Sequence, residues 1–265
     1  MKLIIASAVD EASMNIRREL LKDFEESDGY FVHKDTESVA LMDIKDMHIY
    51  HDNVDKEFEE LSGIKPELVV FISKHSSERA IETITVHPVG NYDKASLGGK
   101  DFCVVQSEPY YMTNTLRNML ATGFRASFEC THHGPYLESP TFFAEIGSDE
   151  EAWNDKEKAK AVAGSLLRAL LSERRERMEA IAIGGGHYMP APTALASRKS
   201  ISFGHMVPNY HMNNCRRAIE IILEKEDVRY AYMDKKAVKK NFDLYDIRKI
   251  LHDFGIEEIE SKKVP

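Results

Sequence analysis

Residues 127–147 read S-F-E-C-T-H-H-G-P-Y-L-E-S-P-T-F-F-A-E-I-G. An apolar, strand-like lead-in runs into a paired histidine, meets a Gly-Pro stop and resumes as an aromatic strand. Side chains alternate faces along a strand, so Glu129, Thr131 and His133 are expected on one side and Cys130 and His132 on the other. The breaker Gly134-Pro135 puts the two imidazoles where that strand ends. Within ten residues the segment offers His132, His133, Glu129 and Glu138, a supply of metal ligands or proton carriers. Adjacent histidines at a strand end also occur as plain polar residues, so the pattern needs support from elsewhere in the chain.

Working outward, short apolar runs alternate with helical periodicities. Strands are expected at 2–9, 30–33, 38–42, 47–50, 68–72, 82–86, 101–106, 180–183, 201–207, 228–233 and 256–259, the last as an edge. Asp10 is the expected cap of a helix over 11–24, where Ile16, Leu20 and Phe24 recur at helical spacing. Ser107 or Thr113 is expected to cap a helix that Gly123 stops. Ser148 and Glu151 make a capping box for a long helix to about residue 171, whose apolar stripe is core. Further helices are expected after Pro208 and over 242–254. No internal repeat or Pro/Ser-rich linker divides the 265 residues. The alternation predicts a single domain over 1–265 of the α/β class, with a mixed, largely parallel sheet and helices on both faces.

A chain of this length buries about three-quarters of its unfolded surface and needs no disulfide or structural metal merely to fold. Three cysteines without C-x-x-C spacing fit a reducing compartment. The N-terminal apolar run is too short for a secretory signal, and no run approaches a membrane span. A soluble, cytoplasmic, monomeric protein is expected. The formal charge of −9 argues against a protein that coats nucleic acid generally. It leaves room for a nucleic-acid substrate held by local basic clusters, each of which in isolation reads as a solvated helix face.

Five strand-to-loop exits carry histidine: His75, His87, His132 with His133, His187 and His205. In an open α/β sheet, ligands sit outside the carboxyl ends of the strands, so co-directional strands would bring these side chains to one rim. Imidazoles with nearby carboxylates suit zinc with an open position for water. The same groups also suit metal-free general-base hydrolysis. His205 alternates with Ile201, Phe203 and Val207 and reads equally well as a buried, satisfied histidine. Gly184-Gly185-Gly186-His187-Tyr188 lets backbone approach a partner closely, but it is neither a Walker loop nor a dinucleotide fingerprint. No H-E-x-x-H is present, which disfavours a zincin-type peptidase.

Five segments occur together in order: Ser73-Lys74-His75-Ser76-Ser77-Glu78; His87-Pro88-Val89-Gly90-Asn91; Cys130-Thr131-His132-His133-Gly134-Pro135; Ser139-Pro140-Thr141-Phe142-Phe143 with Glu145-Ile146-Gly147-Ser148; and Gly184 to Tyr188. In this order and spacing the chain resembles the archaeal and plant type of D-aminoacyl-tRNA deacylase over nearly its whole length. The resemblance implies hydrolysis of the ester between a D-amino acid and the 3′ end of tRNA. It also implies zinc, and a three-layer α/β/α fold of phosphorylase/hydrolase type, similar to bacterial peptidyl-tRNA hydrolase. It does not assign ligands residue by residue.

The expected catalytic set is His132, His133, His187 and Glu129, with Thr141 orienting substrate. The expected metal donors are His132, His133 and Glu138, with His75, His87 and His205 as second choices. Backbone around Gly185 and Gly186, with Tyr188, is expected to meet the substrate. Arg198, Lys199, Arg216, Arg217 and the lysines at 235–240 are expected on phosphates of the tRNA acceptor end. Two rival readings use the same features: a metal-dependent amidase or peptidase, and a non-catalytic module that binds the tRNA end.

Overall fold

The computed structural model describes residues 1–76 and 81–265; Ser77 and Glu78 of the first quoted motif lie outside them. The strands are β1 Lys2–Ser7, β2 Phe24–Glu26, β3 Phe31–His33, β4 Val39–Ile44, β5 Leu68–Ser76, β6 Thr83–Pro88, β7 Gly90–Asn91, β8 Cys103–Val104, β9 Ala126–Phe128, β10 Thr141–Ser148, β11 Met178–Ile183, β12 Ile201–Val207, β13 Tyr230–Met233 and β14 Glu257–Ile259. The helices are α1 Glu11–Leu20, α2 Val54–Ser62, α3 Pro109–Leu120, α4 Glu150–Trp153, α5 Lys156–Leu170, α6 Pro190–Ala196, α7 Cys215–Leu223, α8 Lys235–Val238 and α9 Leu244–Asp253. An eight-stranded mixed sheet has the order β2-β3-β4-β1-β5-β10-β6-β9, and a four-stranded parallel sheet the order β12-β11-β13-β14.

Alternation along the central strands sets the layers. Ile4, Ala6, Val70, Ile72, Phe142, Ala144 and Ile146 face one way, against Ile16 and Leu20 of α1, Met112 and Leu116 of α3, and Val162 and Leu166 of α5. Leu3, Ile5, Val69, Phe71 and Phe143 face the other way, against Val54 and Phe58 of α2. Helices therefore cover both faces of a mixed, largely parallel sheet, which is the α/β/α layering expected. Each of these large side chains contributes about 1.5–3 kcal/mol by leaving water. The second sheet packs Ile181, Ile183 and Met233 against Ile219 and Ile222 of α7 and Ile247 and Leu251 of α9.

Several expected boundaries move. Asp10 does cap α1, its Oδ1 accepting the Ser13 N–H at 2.8 Å. The helix stops at Leu20, because Phe24 instead starts β2, opposite His33. Residues 47–50 are a 3₁₀ turn rather than a strand, closed by Tyr50 N–H to the Met47 carbonyl and His51 N–H to the His48 carbonyl, 3.0 Å each. Glu108, not Ser107 or Thr113, caps α3. The long helix expected from Ser148 is two helices. Ser148 ends β10, Asp149 caps α4, and Asp155 starts α5 by accepting from Glu157 and Lys158. α2, α6 and α8 have no counterpart among the expected elements.

The central stretch shows the largest departure. β9 ends at Phe128, and Glu129 N–H makes one more sheet bond, to the Val86 carbonyl at 3.0 Å. Cys130 N–H then bonds the His187 carbonyl at 2.9 Å and Thr131 N–H the Met206 carbonyl at 3.1 Å. Residues 129–133 thus cross from the first sheet to the second, and the expected two-face alternation of Glu129 through His133 does not occur. His133 sits at φ 43, a left-handed conformation that costs about 1–2 kcal/mol for a residue with a Cβ. Gly134 is required by close approach: a Cβ there would fall 2.2 Å from Gly99 N and 2.6 Å from the Ile49 carbonyl oxygen.

Candidate active site

Three strands set the floor. His75 on β5 stands opposite Gly147 of β10, and His87 on β6 stands opposite Phe143 of β10. Glu145 lies two residues from each of those β10 positions, so all three side chains share one face. Its Oε2 is 3.8 Å from His75 Nδ1 and 3.6 Å from His87 Nε2. Because β6 is antiparallel to β10 while β5 is parallel to it, His75 and His87 come from oppositely directed strand ends. They meet over the face of the sheet, not along a shared rim as expected. Gly147 makes room, since a Cβ there would lie 2.7 Å from His75 Cδ2.

The crossing segment and the glycine turn supply the roof. Glu129 is fully buried, with Oε1 3.3 Å from His75 Nδ1 and Oε2 3.0 Å from His187 Nε2 and 3.6 Å from His132 Nε2. None of these contacts is aligned as a hydrogen bond; among the described residues both Glu129 oxygens and His87 Nε2 are buried without such a partner. The imidazoles pack closely: the ring centroids of His87 and His132 are 4.1 Å apart, those of His132 and His187 4.6 Å, and those of His87 and His133 4.9 Å. Gly184 and Gly185 take φ of 95 and 105, values open to glycine, and so bring His187 over Glu129. Tyr188 reaches His75, its Oη 3.0 Å from Nε2.

Three backbone contacts fix tautomers. The Nδ1 atoms of His132, His133 and His87 lie 2.8, 2.6 and 3.1 Å from the carbonyl oxygens of Cys130, Gly134 and Pro88. A carbonyl only accepts, so each Nδ1 carries a proton; burial keeps His132 and His133 neutral with a lone pair at Nε2, whereas Glu145 outweighs burial at His87 and raises it toward its protonated form. His132 Nε2 then faces Glu129, acceptor against acceptor, while His87 Nε2 faces Glu145. Such an arrangement is satisfied by a proton or a cation between them, and backbone-anchored imidazoles with free Nε2 are the usual form of metal-binding histidine. Ring nitrogens of His87, His132 and His133 lie within 4.8 Å of one another, as do the donor atoms of His75, Glu129 and His187 and those of His87, Glu129 and Glu145. The donor set fits zinc.

Electrostatics reinforce this. Burial alone would raise the Glu129 carboxyl, but the close His187 and the charges of His75 and His87 bring it down to about 2. Burial, then the neighbouring His87, lowers His133 to about 3, and burial with three imidazole neighbours lowers His132 as well. Burial would lower His187 too; Cys130 and Glu129 outweigh it and carry it up to about 10. At neutral pH the metal-free site holds an ionised Glu129, neutral His132 and His133, and a protonated His187.

The structure gathers His75, His87, Glu129, His132, His133 and His187, with Tyr188 and the Gly185–Gly186 turn beside them, and leaves Glu138, His205, Thr141 and the expected basic residues elsewhere. Glu138 is half-exposed and pairs with Lys56 at 2.7 Å. His205 is buried with Nε2 3.0 Å from the Val105 carbonyl and Nδ1 3.1 Å from Thr131 Oγ1, the satisfied core histidine of the plainer reading. Thr141 begins β10, its hydroxyl donating to the Ser139 carbonyl at 2.8 Å. Arg198 and Lys199 line a groove of about 1020 Å³ with Lys235, Lys236 and Lys262. Arg216 and Arg217 lie on α7, the first ion-paired with Asp253 and the second 3.1 Å from Glu224. Glu145 joins the site without being among the expected residues, although a carboxylate inside the otherwise uncharged run of β10 is a legible signal. The site opens into a cleft of about 410 Å³ bordered by His132, His133, Tyr92, Leu97, Tyr210 and His211; Tyr210 carried no signal in the sequence.

A buried carboxylate shared among histidines, beneath an open cleft on an α/β scaffold, is the equipment of a hydrolytic enzyme that activates water. The family model described as D-aminoacyl-tRNA deacylase matches residues 62–259. The D-aminoacyl-tRNA deacylase of Pyrococcus furiosus is 37% identical over 249 residues, covering 89% of this chain and 91% of the relative. That of Archaeoglobus fulgidus is 33% identical over 278 residues, covering 100% and 98%. A crystal structure of a conserved protein of unknown function superposes with a TM-score of 0.87 at 31% identity, covering 100% of this chain and 96% of the other. The chain belongs to the D-aminoacyl-tRNA deacylase family, a family of enzymes. No helix among the described residues is long and apolar enough to cross a membrane.

Proposed function

We propose that this chain hydrolyses the ester joining a D-amino acid to the 3′ end of tRNA, releasing free D-amino acid and tRNA, with zinc at the histidine–carboxylate cluster. The observation that carries the zinc assignment is the convergence of His87, His132 and His133 ring nitrogens beside the buried Glu129 carboxylate, both of whose oxygens lack hydrogen-bond partners among the described residues. His87, His132 and His133 would hold the ion, with Glu129 and Glu145 supplying negative charge. When bound, zinc supplies a Lewis acid and lowers the pKa of water toward about 7.

The chain's own groups meet the remaining needs of the reaction. The cleft beside His132 and His133 admits the acyl end of the substrate. His187 stands with Nε2 3.0 Å from Glu129 and 39% of its side chain exposed, so the charged ring is available to the ester oxygens and to the departing ribose oxygen. Glu129 keeps that imidazole charged and oriented until the proton is given up. Backbone N–H groups around Gly185 and Gly186 support the tetrahedral oxyanion. Arg198, Lys199 and Lys236 line a groove for acceptor-end phosphates, in which Lys235 is already paired with Glu258 and Glu260 at 3.0 Å each. We assign the enzyme to the cytoplasm and one chain to one site.

The test is hydrolysis of matched D- and L-aminoacyl-tRNA, with and without a chelator. The proposal expects release of the D-amino acid, slow release of the L-form, and loss of turnover on chelation that zinc restores. Equal rates on D and L substrates would discard the substrate assignment; full activity after verified zinc removal would discard the metal. His133→Ala should remove most turnover.

A further inference from the structure

We propose that Tyr210 is the platform on which the terminal adenine base of the tRNA stacks while its acyl ester lies over His132 and His133. The inference rests on the deacylase reading and names a binding residue for it. Tyr210 is 58% exposed, so its ring is open to a partner. It lines the same cleft as His132 and His133. Its hydroxyl is anchored, with Oη 3.0 Å from Cys130 Sγ. Cys130 in turn keeps its sulfur within 4.8 Å of the ring nitrogens of His132 and His187. One end of the ring is therefore pinned at the edge of the reacting centre while more than half of the residue stays in solvent. His211 supports it with ring centroids 4.8 Å apart, and Tyr92 backs His211 at 5.5 Å. Leu97, 50% exposed, adds an apolar wall, and Asn91, Asp93 and Ser96 add polar edges.

The size and the chemistry select the occupant. A cleft of about 410 Å³ is too small for folded nucleic acid and is of the size that takes a single small ligand. The ester is separated from the base by one ribose, which matches a platform placed just beside the histidines. Amino-acid side chains vary between substrates, whereas every tRNA ends in the same adenosine. Stacking on an anchored tyrosine holds that constant part by its π-face. The configuration at the α-carbon then decides which groups point toward the histidines.

The experiment measures binding of adenosine 5′-monophosphate and of ribose 5-phosphate by calorimetry, and steady-state kinetics on D-aminoacyl-tRNA. The wild-type enzyme should bind the nucleotide and not the sugar phosphate. Tyr210→Ala should raise KM and the nucleotide Kd roughly tenfold to hundredfold, with kcat changed by less than about threefold. Tyr210→Phe, which keeps the ring and loses the Cys130 contact, should recover most of that affinity. Equal binding of nucleotide and sugar phosphate would overturn the proposal, as would an unchanged KM in Tyr210→Ala or a loss confined to kcat. Should Tyr210→Ala not fold, wild-type enzyme on a substrate lacking the terminal base reads the same stack: a KM like that of intact substrate refutes it, a KM raised tenfold or more supports it. Nucleotide binding requires no turnover, so failure of the deacylase reading would appear separately, as absent hydrolysis.

Discussion

Glu129→Gln keeps the shape of the side chain and removes the charge on which the site converges. The carboxyl is held at about 2 against an ordinary 4.5, which corresponds to about 3 kcal/mol of preference for the ionised form in this surrounding. In the variant that attraction is gone, and an amide faces His75, His132 and His187. His187, now about 10, should lose its proton at a lower pH than in the wild type in the metal-free protein, because Cys130 alone is left to oppose burial. Turnover should fall by about 100- to 1000-fold, the usual effect of deleting one electrostatic element of a hydrolytic site. The sign of the stability effect follows from the depressed carboxyl. Its contribution is complete above about 4.5 and lost as pH falls toward about 2, so the difference between wild type and variant should shrink over that window. The assays are single-turnover deacylation, NMR titration of the His187 ring and chemical denaturation at several pH values. Wild-type turnover, or a His187 that titrates in the variant as it does in the wild type, would refute the reasoning.

Other changes read other parts of the structure. Gly147→Ala places a Cβ 2.7 Å from His75 Cδ2, and the displaced ring should cost about 10- to 100-fold in kcat without unfolding the protein, checked by kinetics and thermal melting. Arg198→Ala with Lys236→Ala should flatten the dependence of log kcat/KM on log salt by about one unit per lost phosphate contact; Arg216→Ala, already ion-paired with Asp253, should leave the slope alone. His51 is raised because contacts with Asp46 and Glu57 outweigh burial. Its stabilisation is therefore full below about pH 6.5 and lost as pH rises through the folded value, so His51→Gln should cost up to about 1 kcal/mol in mild acid and little in alkali, measured by urea denaturation.

Much of the site was legible because its chemistry is carried by rare residue types beside backbone breakers. T-H-H-G-P and G-G-G-H-Y announce His132, His133 and His187, and the end of β9 beside them brings in Glu129. Alternation and caps are local, so the layer pattern and the Asp10 cap could be read directly. The path of residues 129–133 could not, because it is set by hydrogen bonds to His187 and Met206 far along the chain.

By itself the sequence determined the α/β class, the family and the imidazoles from which a site is built. Only the tertiary structure decided that β6 runs against β10, so that His75 and His87 meet across Glu145 on a sheet face instead of lining a rim. It likewise assigned Glu138 to Lys56 and His205 to Val105. The physical reason is range. Periodicity and capping depend on neighbours a few residues away, whereas strand direction, register and the sharing of one buried carboxylate depend on which distant segments hydrogen-bond.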